Sequence, residues 1–284
     1  MSGFLRRRIA RHWTPELGDR TETGFWMAHP AVRRAINRRI TGNEDSWPME
    51  WFQSRWGNAP FELALVPGCG SGELERDLLS KGLIERAEAF DLSRSQIEEA
   101  ERRAEASGFA DRLSYRTGTL EEQAPQTARY DACFFHQSLH HFPNPARALN
   151  QIGAMLKPAG LLYLDEYVGP SRQQWNRKHF ALACAVYENL PAGLRRNSRL
   201  EIPGILAKLA DPSESIASDQ ILIAVEKYFD IIERRDYGGF LLAPCWSQLR
   251  HDDTLVEALI EVEDALTRLH PTWHSVIVAR LKKR

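Results

Sequence analysis

Three histidines and a carboxylate stand near the ends of two apolar runs in the middle of the chain. His136 ends the run Tyr130 to His136, His140 and His141 follow in the next loop, and Glu166 with Tyr167 closes the run Leu161 to Glu166. An imidazole, with an unperturbed pKa near 6.5, suits proton transfer around neutrality. His140 is therefore the first candidate for a general base, with Glu166 and His136 next. The plain alternative for the adjacent pair is that one ring packs on a sheet while the other faces solvent or a pocket. A metal is not expected on the three histidines, because a loop gives them no fixed ligand face.

The second group is the turn Gly68-Cys69-Gly70-Ser71-Gly72, which follows the apolar run Phe61 to Val66. A glycine-rich turn between a strand and a helix lets backbone approach a ligand closely and aims unpaired helix N–H groups at it. In the dinucleotide fingerprint the third glycine would fall at position 73, which is Glu73; here it stands at Gly72. Asp91 closes the next apolar run, Ala87 to Asp91, nineteen residues past Gly72. It places a carboxylate where the ribose hydroxyls of an adenosine lie in folds of this kind. The alternative is a turn that serves chain reversal alone.

With the spacing G-x-G-x-G, this turn resembles motif I of the class I S-adenosylmethionine-dependent methyltransferases. Phe90-Asp91-Leu92-Ser93 resembles the ribose-binding segment of that family, and Gly118-Thr119-Leu120-Glu121 its adenine-contacting turn. Tyr130 to Phe135, leading to Gln137-Ser138-Leu139-His140-His141-Phe142, resembles its fourth-strand segment. The likeness covers about Phe61 to Tyr167 and the final strands. It implies S-adenosylmethionine as cofactor, with S-adenosylhomocysteine as product, held by Gly68, Cys69, Gly70, Gly72, Asp91, Leu92, Thr119, Leu120 and His136. Two positions depart from the family pattern: Val66 stands where an acidic residue is usual, and Thr119 where Asp is usual. Each removes a polar contact of the kind worth about 1.5–3 kcal/mol.

The activity implied is methyl transfer to a small organic molecule such as a secondary metabolite or a sugar, with O-methylation first. C- or N-methylation and a non-catalytic or repurposed cofactor-binding protein are the alternatives. His141, Tyr167, Trp175, His179 and Trp26 are expected at the acceptor.

These groups need a scaffold that delivers them to one place. Strand-like runs at Phe61 to Val66, Ala87 to Asp91, Arg112 to Thr117, Tyr130 to His136 and Leu161 to Glu166 alternate with helical patterns. Among the helical signals are a Ser95/Glu98 capping box and an Asn144-Pro145 start, the latter helix stopped by Lys157-Pro158-Ala159-Gly160. Such alternation calls for a parallel sheet covered on both faces. Asp230 to Arg235 and His274 to Leu281 add two strands around a helix from Thr254 to Leu269. The expected fold is α/β: a Rossmann-like, mostly parallel seven-stranded sheet with helices on both faces, plus a helical lid from the N-terminus and an insertion after the fifth strand. Residues 1–57 are expected as an N-terminal helical cap, and residues 58–284 as the methyltransferase domain with its lid insertion at about 171–228.

Composition narrows the partners. The 284 residues carry a formal net charge of −1, with arginines grouped at Arg6, Arg7, Arg8 and Arg11 and at Arg33, Arg34, Arg38 and Arg39. That balance argues against a general nucleic-acid binder. The two groups read as solvated helix faces or as contacts of a homo-oligomer built through the N-terminal helices. The four cysteines are scattered, which excludes a disulfide framework and fits a cytoplasmic location. No run of eighteen apolar residues is present, so no membrane span is expected.

Overall fold

Near-continuous apolar residues, as at 64–66, 132–135 and 161–164, leave a strand with two faces to bury, and in the computed structural model these runs are strands between two helical layers. The structure describes residues 25–123, 127–171, 180–201, 214–267 and 269–282. The strands are β1 (Phe61–Pro67), β2 (Ile84–Asp91), β3 (Leu113–Thr117), β4 (Tyr130–His136), β5 (Leu156–Tyr167), β6 (Phe229–Gly238) and β7 (His274–Leu281). They form one seven-stranded sheet in the order β3-β2-β1-β4-β5-β7-β6. β7 runs antiparallel to both β5 and β6, and the remaining pairs are parallel. The helices are α1 (Pro30–Thr41), α2 (Pro48–Trp56), α3 (Glu73–Ser80), α4 (Arg94–Ala106), α5 (Pro145–Met155), α6 (Ala181–Asn189), α7 (Ile221–Tyr228) and α8 (Asp253–Leu266).

The period of two along the strands divides the core cleanly. Ala64 and Val66 of β1, Phe134 of β4, Tyr163 of β5 and Val276 and Val278 of β7 share one apolar cluster with α1, α2, α3, α6 and α8. Their neighbours Leu65, Cys133, Phe135, Leu162, Leu164 and Ile277 share the other with α5 and α7. Phe52 of α2 meets the Phe134 and Tyr163 rings at 5.6 and 5.1 Å, so the N-terminal helices lie on the sheet itself. α7, at the end of the region expected as a lid, contributes Ile221, Ala224 and Val225 to the second cluster and is a sheet-covering helix.

Three local readings are corrected. The N-cap of α4 is Ser93, whose hydroxyl accepts from the Gln96 N–H at 3.4 Å, two residues before the expected Ser95. Lys157 to Gly160 is not a loop: α5 ends at Met155, and β5 begins at once, pairing Leu156 with Tyr130 before a register shift to Ala132 and Leu161. Arg39 is not on a solvated face. Its guanidinium donates to Glu263 Oε2 (3.1 Å), Asp264 Oδ1 (2.6 Å) and the Tyr237 carbonyl (2.8 Å). The Asn144 start, by contrast, stands as read, with Oδ1 accepting from the Arg147 N–H at 2.9 Å.

The fully buried Glu263 is held by more than Arg39. Its Oε1 accepts from the N–H groups of Gly239, Leu241 and Leu242 at 3.0–3.2 Å. The carboxylate thus fastens α8 to the turn after β6 and, through Arg39, to α1. Removing one partner of such a buried set leaves others unpaired, at about 3–5 kcal/mol. Chemical denaturation is expected to show Glu263→Ala destabilised by about that much, and the exposed Val262→Ala on the same helix within about 0.5–1 kcal/mol of the parent.

Candidate functional site

The C-terminal ends of β1, β2, β3 and β4 open onto a cavity of about 480 Å³, within the usual size of a small-molecule site. Its wall includes Gly68, Cys69, Gly70, Asp91, Leu92, Thr119, Leu120, His136 and His141 among the residues expected there, and also Val66, Ser71, Ser93, Gln96, Gln137, Ser138 and Phe142. Two glycines are dictated by shape. At Gly68 (φ +68°) a Cβ would lie 2.8 Å from the Ser138 Cβ, and at Gly72 (φ +75°) it would lie 2.5 Å from the Tyr115 hydroxyl. Gly72 is not in the wall; it caps α3, whose first residues Glu73 and Leu74 are.

Asp91 ends β2 with its carboxylate turned back over the turn. Oδ2 accepts from the Gly70 N–H at 3.1 Å and Oδ1 from the Ser93 N–H at 2.8 Å. Burial raises this carboxyl above its ordinary range, while the Ser93, Gly70 and Leu92 N–H groups pull it back. Further hydroxyl donors from a ligand would favour the charged form. Thr119, at the end of the β3 turn, is also buried in the wall, and its Oγ1 meets no hydrogen-bond partner.

Beyond the Gly68 turn the loop after β4 is organised by Glu166. Oε1 of this fully buried carboxylate accepts from the Ser138 N–H (2.7 Å) and the Leu139 N–H (2.6 Å), and Oε2 lies 2.7 Å from His140 Nδ1. Burial opposes the charge, but the His140 imidazole and the Leu139 and Ser138 N–H groups outweigh it and hold the carboxyl below its usual range. An ionised Glu166 requires Nδ1 to carry the proton, so Nε2 is the ring nitrogen turned elsewhere. It faces Glu214, whose Oε1 is 3.8 Å away, while Glu214 Oε2 is 4.0 Å from His141 Nε2. His136 stands apart from this pair, with Nε2 3.6 Å from Asp165 Oδ2. Asp165 also accepts from the Tyr237 hydroxyl at 2.5 Å and from Gln137 Nε2 at 3.2 Å.

His140 and Glu166 therefore sit behind the cavity wall, and His136 and His141 in it. Trp26 is buried with its ring 5.2 Å from His274, which in turn lies 5.2 Å from Tyr167; neither Trp26 nor Tyr167 is in the wall. Burial pushes His274 down to about 3, so this ring is neutral and serves as packing between them. Trp175 and His179 lie outside the described residues. Gln137, Tyr237, Asp165 and Glu214 were missed by sequence reasoning. Gln137 sits next to His136 and Asp165 next to Glu166, but Tyr237 and Glu214 are brought in by long-range pairing.

Residues 65–164 match a family described as a methyltransferase domain. The match spans the turn, Asp91, the Thr119 turn and the β4 loop, and it falls on the β1-to-β5 half of a sheet whose β7 is antiparallel. Over these residues the chain is similar to a methyltransferase domain. A ubiquinone biosynthesis O-methyltransferase of Methylocella silvestris is 33% identical over 113 residues, 39% of this chain and 43% of that one. The chain thus matches less than half the length of that relative. Geranyl diphosphate C-methyltransferase from Streptomyces coelicolor A3(2) superposes with a TM-score of 0.59 at 16% identity, covering 97% of each chain. The [4+2]-cyclase SpnF does so with a TM-score of 0.51 at 15% identity, covering 88% of this chain and 93% of the other. At those identities the likeness is one of fold. Among the described residues no helix is long and apolar enough to cross a membrane.

S-adenosylmethionine, the donor that the resemblance implies, fits this cradle on two observations: the half-buried Asp91 carboxylate lines the cavity with its charge still disfavoured by burial despite three backbone N–H groups, and Thr119 Oγ1 lines the same cavity without a partner. Below the cradle, Glu75 in the first turn of α3 is fully buried. Neither of its carboxylate oxygens nor the Tyr115 hydroxyl has a hydrogen-bond partner. Burial pushes its carboxyl up to about 7. The folded protein therefore favours protonated Glu75: its contribution to stability is complete below about pH 4.5 and is lost as pH rises through about 7. Stability measured by denaturant is expected to fall by roughly 3 kcal/mol between about pH 5 and pH 8, and Glu75→Gln to remove most of that slope.

Proposed function

We propose that the chain transfers a methyl group from S-adenosylmethionine to a small organic acceptor, and that the accepting atom is a hydroxyl oxygen. The observation that carries this reading is that the Gly68–Gly72 turn, Asp91 and Thr119 border one cavity whose far wall is the loop holding His136 and His141. When bound, the donor supplies a methyl group on a positively charged sulfur, electrophilic without further activation. What remains for the protein is to align the acceptor and exclude water, which is worth about 7–11 kcal/mol of a barrier. The backbone of Gly68 and Gly70 would border the methionine end of the donor, and Asp91 would accept from the ribose hydroxyls. The Thr119 hydroxyl would face the adenine.

Oxygen is preferred over carbon or nitrogen because a hydroxyl must lose a proton, and the loop that carries His141 into the cavity wall also holds His140, an imidazole of fixed tautomer behind that wall. With Glu166 fixing Nδ1–H, Nε2 of His140 is the basic atom, and Glu166 stabilises the imidazolium that forms. The net charge of −1 and a cavity of about 480 Å³ favour a small acceptor over a nucleic acid. The second reading is a donor-binding protein that does not transfer the methyl group. It is favoured by Val66 and Thr119, which stand where the family pattern has acidic residues.

Calorimetry is expected to show saturable binding of S-adenosylhomocysteine, weakened about 10- to 100-fold by Asp91→Ala. No binding to the parent protein would sink the proposal. Methyl transfer from radiolabelled donor into hydroxylated acceptors is expected to drop about 10²- to 10⁴-fold in Glu166→Gln, with S-adenosylhomocysteine affinity retained. Tight donor binding without transfer to any acceptor would favour the second reading.

A further inference from the structure

We propose that His140, His141 and Glu214 form a binding site for a divalent first-row transition-metal ion, with Glu166 as the carboxylate behind it. The three residues each offer one ligand atom, and these atoms lie within 4.8 Å of one another. The turn that carries the two histidines has a fixed shape. Leu139–His141 is a single 3-10 turn, anchored through the Ser138 and Leu139 N–H groups on Glu166 Oε1, with the two imidazole rings 4.2 Å apart.

The sequence-level objection that a loop offers no ligand face does not hold for this pair. His136 is not one of the three; its place is taken by Glu214, 73 residues beyond His141. Glu166 does for His140 what an outer-shell carboxylate does at established metal sites: it fixes the tautomer so that Nε2 presents its lone pair, and it raises the basicity of the ring.

Ligand atoms around a tetrahedral ion with bonds of about 2.0–2.1 Å stand about 3.3 Å apart. His140 Nε2 is 3.8 Å from Glu214 Oε1 and His141 Nε2 is 4.0 Å from Glu214 Oε2; with one carboxylate oxygen ligating, separations of up to 4.8 Å must shorten by up to about 1.5 Å. The Glu214 side chain is 39% exposed, with solvent on one side, and is the member placed to move. Two imidazoles and one carboxylate favour Zn²⁺, Mn²⁺, Fe²⁺ or Co²⁺ over Ca²⁺ or Mg²⁺, which prefer all-oxygen shells. Three protein ligands leave a position open, as catalytic zinc sites do.

His141 is in the wall of the donor cavity, so the open position would lie beside it. A hydroxyl coordinated there has its pKa lowered toward neutrality. In the loaded protein His140 is then a ligand, and the coordinated hydroxyl gives its proton to solvent water before its oxygen takes the methyl group, in place of proton transfer to imidazole. This consequence rests on the methyltransferase reading; the metal site itself does not.

The test is a titration of the full, chelator-treated chain with Co²⁺, read by the visible d–d absorption of the bound ion and by displacement with Zn²⁺. One-to-one saturation is expected, weakened at least about 10-fold in Glu214→Gln and in His141→Ala, with near-ultraviolet circular dichroism showing both variants folded. Absence of one-to-one saturation, or equal affinity in Glu214→Gln, His141→Ala and His140→Ala, overturns the site. S-adenosylhomocysteine is titrated into the same samples. Its failure to bind while Co²⁺ saturates overturns only the methyltransferase reading, and the reverse pattern overturns only the metal site.

Discussion

A carboxylate with no exposed surface must be neutral or fully hydrogen-bonded, and Glu166 takes the second course. Its partners all belong to the loop after β4, so the end of β5 determines the path of that loop. The effect reaches β1. Ser138, held by its N–H to Glu166, donates its hydroxyl to the Pro67 carbonyl at 2.9 Å and lies against Gly68 so closely that no larger residue fits there. One buried charge therefore sets the spacing between the glycine turn, the cavity wall and the imidazole of His140.

A second buried carboxylate, Glu263, plays the corresponding part at the far edge of the sheet. It and Arg39 clamp α1 and α8 to the turn after β6, and that turn leads to Gly239 and the ring of His274. From there the aromatic contacts run Trp26 to His274, His274 to Tyr167 and Tyr167 to His140. The N-terminal helices are thus in packing contact with the back of the site, although they contribute nothing to the wall of the cavity. Asp165, with Tyr237 and Gln137, links the two ends across β5.

What could be read from the sequence was what is local. β4 and β7 have the boundaries that their apolar runs mark, and the Asn144 cap and the 68–72 turn lie where spacing places them. Ser93 and Ser95 both precede a helical pattern, and only the backbone path out of Asp91 selects Ser93 as the cap. Lys157-Pro158-Ala159-Gly160 looks like punctuation, but pairing of Leu156 with Tyr130 continues the strand around it. Arg39 with Glu263, Asp165 with Tyr237, and His140 with Glu214 are separated by 224, 72 and 74 positions. No periodicity or spacing rule encodes such pairs.

The position of β7 between β5 and β6 bears on how the protein is made. This strand is the last of the seven to leave the ribosome, yet its slot separates two strands synthesised long before it. Until it arrives, the Leu161–Tyr167 edge of β5 has no neighbour on that side, and the Val168 N–H lacks the Trp273 carbonyl that it later meets at 2.7 Å. A nascent chain thus carries an open, apolar sheet edge from the completion of β5 until β7 is made, which makes that interval the one in which chaperone protection against aggregation matters most.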